Sequence, residues 1–239
     1  MIVRLWDQGV PLPMIDAIRR IAADNVADLH NVPVKLDSPL VAIAAAQVQI
    51  NLGDALGAVG RPIHVPDGNG GYAKLQARLI VALDDKEPAQ PLVGFLTFKP
   101  HINEPRCATI CHIAVDVPYR GKGVLRALLT ELANHAEVTG LGCSVEKVPL
   151  YERFGYTVSG SHHAQVLMTN GAMSGQGWEK DEESLCADPH YQGARSAALM
   201  LLGRDGFNAA VDEQDRLAAN EAERVSQYVR QRLSEAKAT

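Results

Sequence analysis

Ile2-Val3-Arg4-Leu5-Trp6 has the apolar and polar pattern of a first strand. Behind Pro11 and Pro13, the apolar residues Ile15, Ile18, Ile21, Ala22, Val26 and Leu29 recur near helical spacing, and Asn31-Val32-Pro33 closes that helix. Ser38 followed by Pro39 starts a second, Ala-rich helix ending near Gly53 or Gly57. Pro66-Asp67-Gly68-Asn69-Gly70-Gly71 is the densest turn signal in the chain. After it, Leu75–Leu83 and Leu92–Phe98 read as the strands of a hairpin joined by a polar stretch, and Ala108–Asp116 as a third strand. A helix is predicted over Lys122–Val138 with its stop at Thr139-Gly140, then a short strand over Leu141–Glu146. A one-turn helix around Leu150–Arg153, capped by Gly155, precedes strands from Tyr156 and over Gln165–Thr169. This order predicts a mixed α/β (α+β) sheet rather than a doubly wound parallel one.

Past Asn170 the pattern changes. NGAMSGQG has the composition of a connector. His190–Leu202 carries an apolar run at helical spacing, and Asp212–Ala236 is a charged helix with Leu217, Val225, Tyr228 or Val229, and Leu233 on one face. The expected organisation is a domain over residues 1–170 and a linker with a helical extension over 171–239. The charged amphipathic helix is a ready surface for self-association or a protein partner, and Trp178 is placed to anchor the tail to the domain.

Composition narrows the classes. Hydrophobic residues make up 46% and charged residues 21% of the 239, enough for a substantial core. A formal net charge of -5, with no aromatic series among basic residues, argues against a dedicated nucleic-acid binder. Cys107, Cys111, Cys143 and Cys186 form no CxxC and no zinc-like His/Cys spacing, so reduced thiols, a reducing compartment and a cytoplasmic location are expected, with no metal. Cys107 and Cys111, four apart in a strand, are expected on one face. His162-His163 reads as a surface turn. No signal peptide is indicated at the N-terminus, and the longest apolar tract, from Val41, is too short and too polar to span a bilayer.

The chemistry is carried by Ile113–Leu129. An apolar strand passes through Val117-Pro118 to Arg120-Gly121-Lys122-Gly123 and directly into a helix. A helix start has unpaired N–H donors and a partial positive charge, and glycines let a phosphate approach the backbone, so the arrangement implies diphosphate binding. A Walker A loop is excluded because Asp116 and Gly123 stand where glycine and Ser or Thr are required. A dinucleotide fingerprint is excluded because Arg126 replaces its third glycine. What remains, Arg-x-x-Gly-x-(Gly/Ala) after a strand, resembles motif A of the GNAT superfamily of acyl-CoA-dependent N-acetyltransferases. Val115, Tyr119, Arg120, Gly121, Gly123 and Leu128-Leu129 match, while Leu125 stands where that family has Gly or Ala. Downstream, VPLYERFGY resembles motif B of the same superfamily at Tyr151, Gly155 and Tyr156, with Val148-Pro149 matching a common subclass. The resemblance covers residues 75–170 well, the first 70 only by element order, and the tail not at all.

The resemblance implies a mostly antiparallel central sheet flanked by helices, and acetyl-CoA or another acyl-CoA as co-substrate. The pyrophosphate would sit on backbone N–H groups of Arg120, Gly121, Gly123 and Leu125, within a cofactor loop that includes Lys122 and Val124. Lys122 and Arg126 are candidates for the 3′-phosphate, and the pantetheine arm would pair with the backbone of Ile113 and Val115. The implied reaction is direct attack of a primary amine, of a small molecule or a protein, on the thioester. Tyr151 is the expected acid for the leaving thiolate, because a phenol is protonated at neutral pH. For the base, Glu146 is the first candidate, with His112 and Asp116 after it. Alternation puts His112 and Asp116 on one face of their strand and Ile113 and Val115 on the other. Leu125 leaves two activities open: an active N-acetyltransferase, or a GNAT-fold protein with weak or no catalysis that serves assembly or binding through its C-terminal helices.

Overall fold

The computed structural model describes residues 1–66, 70–177 and 182–238. Asp67–Asn69 of the expected turn and Trp178 lie outside the described residues. In chain order the first elements are β1 (Ile2–Trp6), α1 (Leu12–Ala23), α2 (Val26–Leu29), α3 (Val41–Gly57), β2 (Ile63–Pro66) and β3 (Tyr72–Leu75). Then come β4 (Arg78–Leu83), β5 (Leu92–His101), β6 (Glu104–Val115), α4 (Val124–Leu132), β7 (Val138–Cys143) and α5 (Val148–Glu152). The last are β8 (Thr157–His162), β9 (Gln165–Thr169), α6 (Glu182–Cys186) and α7 (Pro189–Ala238), the last interrupted at Gly203. Seven strands form one mixed, mostly antiparallel sheet in the order β1-β4-β5-β6-β7-β9-β8, with β6 and β7 parallel. β2 and β3 make a separate antiparallel pair.

The chain divides into two compact units. The first comprises Met1–Asn25, Asn51–Gly140 and Gly171–Glu179. Its central strands β4 and β5 are buried along almost their whole length, which is why they read as continuous apolar runs rather than alternating ones. α1 packs on β5 and β6, and α4 on β1, β4, β5 and β6. α1 buries Ile18, Ile21 and Ala22 and stops short of the expected Leu29. The Asn25 side-chain amide turns back to donate to the Ile21 carbonyl at 2.7 Å, so the helix ends there and α2 follows as a separate turn. The connector after Asn170 is tied down within this unit. Ile102 and Gln176 exchange backbone hydrogen bonds of 2.8 and 3.3 Å, and the His101 ring bonds the Ser174 carbonyl at 2.7 Å.

Two boundaries differ from expectation for the same reason. The expected strand Leu75–Leu83 is two strands, because β3 pairs with β2 while β4 pairs with β1 and β5. The helix expected to reach Val138 ends at Leu132, and Thr139 and Gly140, expected as its stop, lie inside β7. Val138, Thr139 and Gly140 pair in parallel with Cys107, Ala108 and Thr109, and the Glu137 N–H donates to the Arg106 carbonyl. Ladder partners far away in sequence override local helix preference.

The second unit comprises Val26–Ile50, Leu141–Asn170 and Lys180–Thr239. α7 packs on β8 and β9, burying Val225 and Val229, while Leu217, Tyr228 and Leu233 are half-buried on the face expected from the sequence. Leu40, Ala198 and Phe207 form a second apolar cluster with Ile43, Leu202, Ala210 and Val211. Among the described residues, no helix is long and apolar enough to cross a membrane.

Candidate functional site

In the first unit, β6 ends at Val115 and the chain makes a short 3-10 turn, Val117–Tyr119, before α4 begins at Val124. Gly121 and Gly123 both have positive φ, 73° and 84°, a region that costs a side-chain-bearing residue about 1–2 kcal/mol. Their conformation turns the backbone so that the first turn of α4 opens toward the loop. Among the described residues, no acceptor is found for the N–H groups of Gly121, Gly123, Val124 and Leu125, whereas the Arg120 and Lys122 N–H groups donate to the Val117 and Tyr119 carbonyls at 3.2 and 3.4 Å. The open set differs from the expected one in a single member: the Arg120 N–H is engaged and that of Val124 is open. Four open donors at a helix start are an anion site in chemical terms.

Side chains hold this loop in place. The Arg120 guanidinium donates to Asn25 Oδ1 at 2.6 Å, and the Asn25 amide reaches the Val115 carbonyl at 3.5 Å as well as Ile21. Asp116, buried, accepts from Arg20 at 3.1 Å. The Tyr119 hydroxyl donates to Asp84 at 3.0 Å, which raises the phenol above its ordinary range, and the exposed Lys122 ammonium lies 4.9 Å from the centre of the Tyr119 ring. Leu125 is half-buried and, by helical spacing, shares the stripe of the buried Leu128, Leu129 and Leu132. Its side chain thus belongs to the sheet-facing side of α4. Gly94 on β5 allows the close approach of that helix, since a Cβ there would lie 2.8 Å from Val124 Cγ1.

β6 carries an irregularity. Thr97 pairs with His112 and Phe98 with Ile110, so Cys111 is an extra residue in the strand. Equal parity across it no longer means equal face. His112 and Asp116 fall after the bulge and are both buried, while Ile113 and Val115 are half-buried. The His112 Nδ1 lies 2.9 Å from Thr97 Oγ1. Burial, with repulsion from Lys99 second, pushes the imidazole down to about 4, so it is neutral at pH 7. Among the described residues, the ladder with β7 covers Cys107–Thr109, and Ile113 and Val115 lie beyond it.

The tyrosine turn lies in the second unit. After β7 come a 3-10 turn, Val145–Lys147, and α5 with Pro149 in its first turn. Gly155, with φ 84°, closes the corner, and the Tyr156 N–H donates to the Tyr151 carbonyl at 3.3 Å. Tyr151 is buried, and its ring meets Tyr156 edge-on with centroids 6.1 Å apart. Burial first, then the neighbouring Cys143, Tyr156 and Asp28, push its phenol well above the ordinary range, so it is a donor throughout the neutral range. Burial pushes the Cys143 thiol up to about 12, which keeps it protonated at neutral pH. Glu146 stands on the 3-10 turn, exposed, and pairs with Arg224 at 2.6 Å. Partial burial opposes its charge, but hydrogen bonds from Arg224, the turn backbone and Ser144 hold the carboxyl below its usual range. Among the described residues, no group of three His, Cys, Asp or Glu side chains is placed to hold a metal.

Reading the sequence alone missed Asn25, Gly94 and Arg224. Nothing in the local pattern marks them, since each matters through a partner 30 to 95 positions away.

The family model for the acetyltransferase (GNAT) domain matches residues 76–158. Among solved structures, the PaiA N-acetyltransferase from Thermoplasma acidophilum in complex with coenzyme A is similar at a TM-score of 0.50 and 11% identity, covering 72% of this chain and 100% of its own. A GCN5-related N-acetyltransferase from Kribbella flavida is similar at a TM-score of 0.45 and 16% identity, covering 70% of this chain and 96% of its own. No curated protein matches the chain.

Proposed function

We propose that the chain, whose residues 76–158 match the acetyltransferase (GNAT) domain model, transfers an acetyl group from acetyl-CoA to a primary amine of a small molecule or protein. The observation that carries this reading is the set of four open N–H groups at Gly121, Gly123, Val124 and Leu125. They fit a pyrophosphate, which needs several backbone donors and no side chain in the way. Lys122, exposed beside them, suits a further phosphate. The half-buried backbone at Ile113 and Val115, past the end of the β7 ladder, suits an extended pantetheine arm. That the Thermoplasma acidophilum protein carries coenzyme A is the precedent for acyl-CoA use.

Bound acetyl-CoA supplies an activated thioester carbonyl to the amine. The chain's own task is to hold the two and manage protons. Tyr151, kept protonated by burial, would be the proton donor for a departing thiolate. Of the three candidate bases, Glu146 is exposed and can pass a proton to water, although its ion pair with Arg224 lowers its basicity, whereas His112 is buried against Thr97 and Asp116 is buried against Arg20. We therefore assign the base role to Glu146. Cys107, Cys111, Cys143 and Cys186 are thiols rather than disulfides, which suits a reducing, cytoplasmic setting.

Titration calorimetry with acetyl-CoA, followed by turnover against a panel of primary amines, tests the reading. Saturable heat and CoA release are expected. No heat and no release would overturn it. A second reading, a binding role for the C-terminal helix, rests on the exposed run Leu199, Met200 and Leu201 of α7, and a monomer in sedimentation at high concentration would count against self-association there.

A further inference from the structure

The turn that carries Tyr151 is short. α5 has five residues, and a single helical turn has almost no stability of its own. Its orientation must come from what it is tied to. Two of those ties come from one face of α7, more than seventy residues away in sequence. Arg224 bonds Glu146 at 2.6 Å and is itself braced by Glu221 at 2.6 Å. Arg232 bonds Glu152, the residue after Tyr151, and is braced by the Tyr228 hydroxyl at 2.8 Å. Arg224, Tyr228 and Arg232 follow each other at helical spacing, and between them Val225 and Val229 are buried. From another side, Lys147 pairs with Asp28 at 2.6 Å. One exposed ion pair is worth about 0–1 kcal/mol and would fix little. Here two pairs grip the turn on both sides of Tyr151, and the helix bearing them is anchored by apolar burial between the two arginines.

We infer that Arg224 and Arg232 are positioning residues for Tyr151, so that the C-terminal half of α7 is part of the catalytic framework. The inference rests on the acid role assigned to Tyr151. It extends that role to a segment outside the matched domain. The arginines act by holding the backbone of Val145–Glu152, and neither exchanges a proton in the reaction.

The test uses the full chain and a double-mutant cycle between Arg232 and Glu152. Arg232→Ala and Glu152→Ala are each expected to lower kcat about tenfold, well under the hundredfold that a misplacement of about 1 Å can cost. KM for acetyl-CoA is expected to stay within about twofold, because the phosphate loop is untouched. The double variant is expected to be no worse than either single one, and the exchanged pair Arg232→Glu with Glu152→Arg to recover most of the rate. Amide hydrogen exchange over residues 148–154 should quicken in the single variants and slow again in the exchanged pair. Arg230→Ala removes a charge from an exposed position of the same helix and should change neither rate nor exchange. Multiplicative losses, no recovery on exchange, or equal damage from Arg230→Ala would overturn the inference. If the wild-type chain transfers no acyl group, the reading of function fails by itself. Hydrogen exchange then decides the positioning role alone, and unchanged exchange at 148–154 in Arg232→Ala rejects it.

Discussion

The glycine loop before α4 and the tyrosine turn are both corners where a strand hands over to a helix, and they are held by different means. In the loop, the groups on offer are backbone N–H donors, and their direction follows from two positive-φ glycines and the start of α4. In the turn, the group on offer is one phenol, and the segment bearing it is held by ion pairs to Asp28, Arg224 and Arg232. A backbone site is a local property of the chain, since every donor is within five positions of its neighbours. Aiming a side chain is a tertiary property, because a one-turn helix can be rotated as a body. The loop should therefore be sensitive to glycine chemistry and the turn to distant charge.

The largest expected effect separates binding from turnover. Tyr151→Phe should lower turnover by roughly 10²–10⁴-fold, the usual contribution of a positioned acid, while the heat of acetyl-CoA binding stays unchanged. Unaltered turnover would remove Tyr151 from the reaction and leave the turn as a structural corner.

Acid should distinguish the strand that leads into the loop. His112 is held near 4 in the folded chain and returns to about 6.5 when unfolded. The unfolded state thus binds the proton first as pH falls. Stability from this group is full above pH 6.5 and is lost progressively between 6.5 and 4, by about 3 kcal/mol in all. Thermal melts across that range should show the slope, and His112→Leu paired with Thr97→Val should flatten it. A slope identical in the double variant would mean that other groups carry the acid sensitivity.

Two glycines give smaller, sharper tests of the loop. Gly94→Ala forces a Cβ to within 2.8 Å of Val124 Cγ1, and overpacking of this kind costs about 1–3 kcal/mol. Displacing the first residue of α4 should also raise the KM for acetyl-CoA. Gly123→Ala meets open space, so only the positive φ is penalised, by about 1–2 kcal/mol. Its signature should be weaker acetyl-CoA binding together with a fall in melting temperature of roughly 2–8 °C. If Gly123→Ala binds as tightly as the wild type, the open donors are not the phosphate site.

Legibility followed the range of the cause. Gly121, Gly123 and Gly155 were visible as corners, and all three have positive φ. The strand β9 came out at its observed bounds because its alternation is complete within five residues. The end of α4 was misread because nothing in Glu131–Gly140 itself says that Cys107–Thr109 waits to pair with it. The extra residue Cys111 was invisible because a bulge exists only relative to the partner strand. Asn25 looked like one more residue of a helix, although its amide ends α1 and its oxygen holds Arg120.

By itself, then, the sequence determined the mixed sheet and the glycine corners of the loop, because helix starts, glycine conformations and strand periods are set by neighbours along the chain. Only the tertiary structure decided which strands pair and in what register, how His112 is buried against Thr97, and which charges grip the turn that carries Tyr151. Those depend on contacts between positions far apart, whose joint arrangement no local pattern contains.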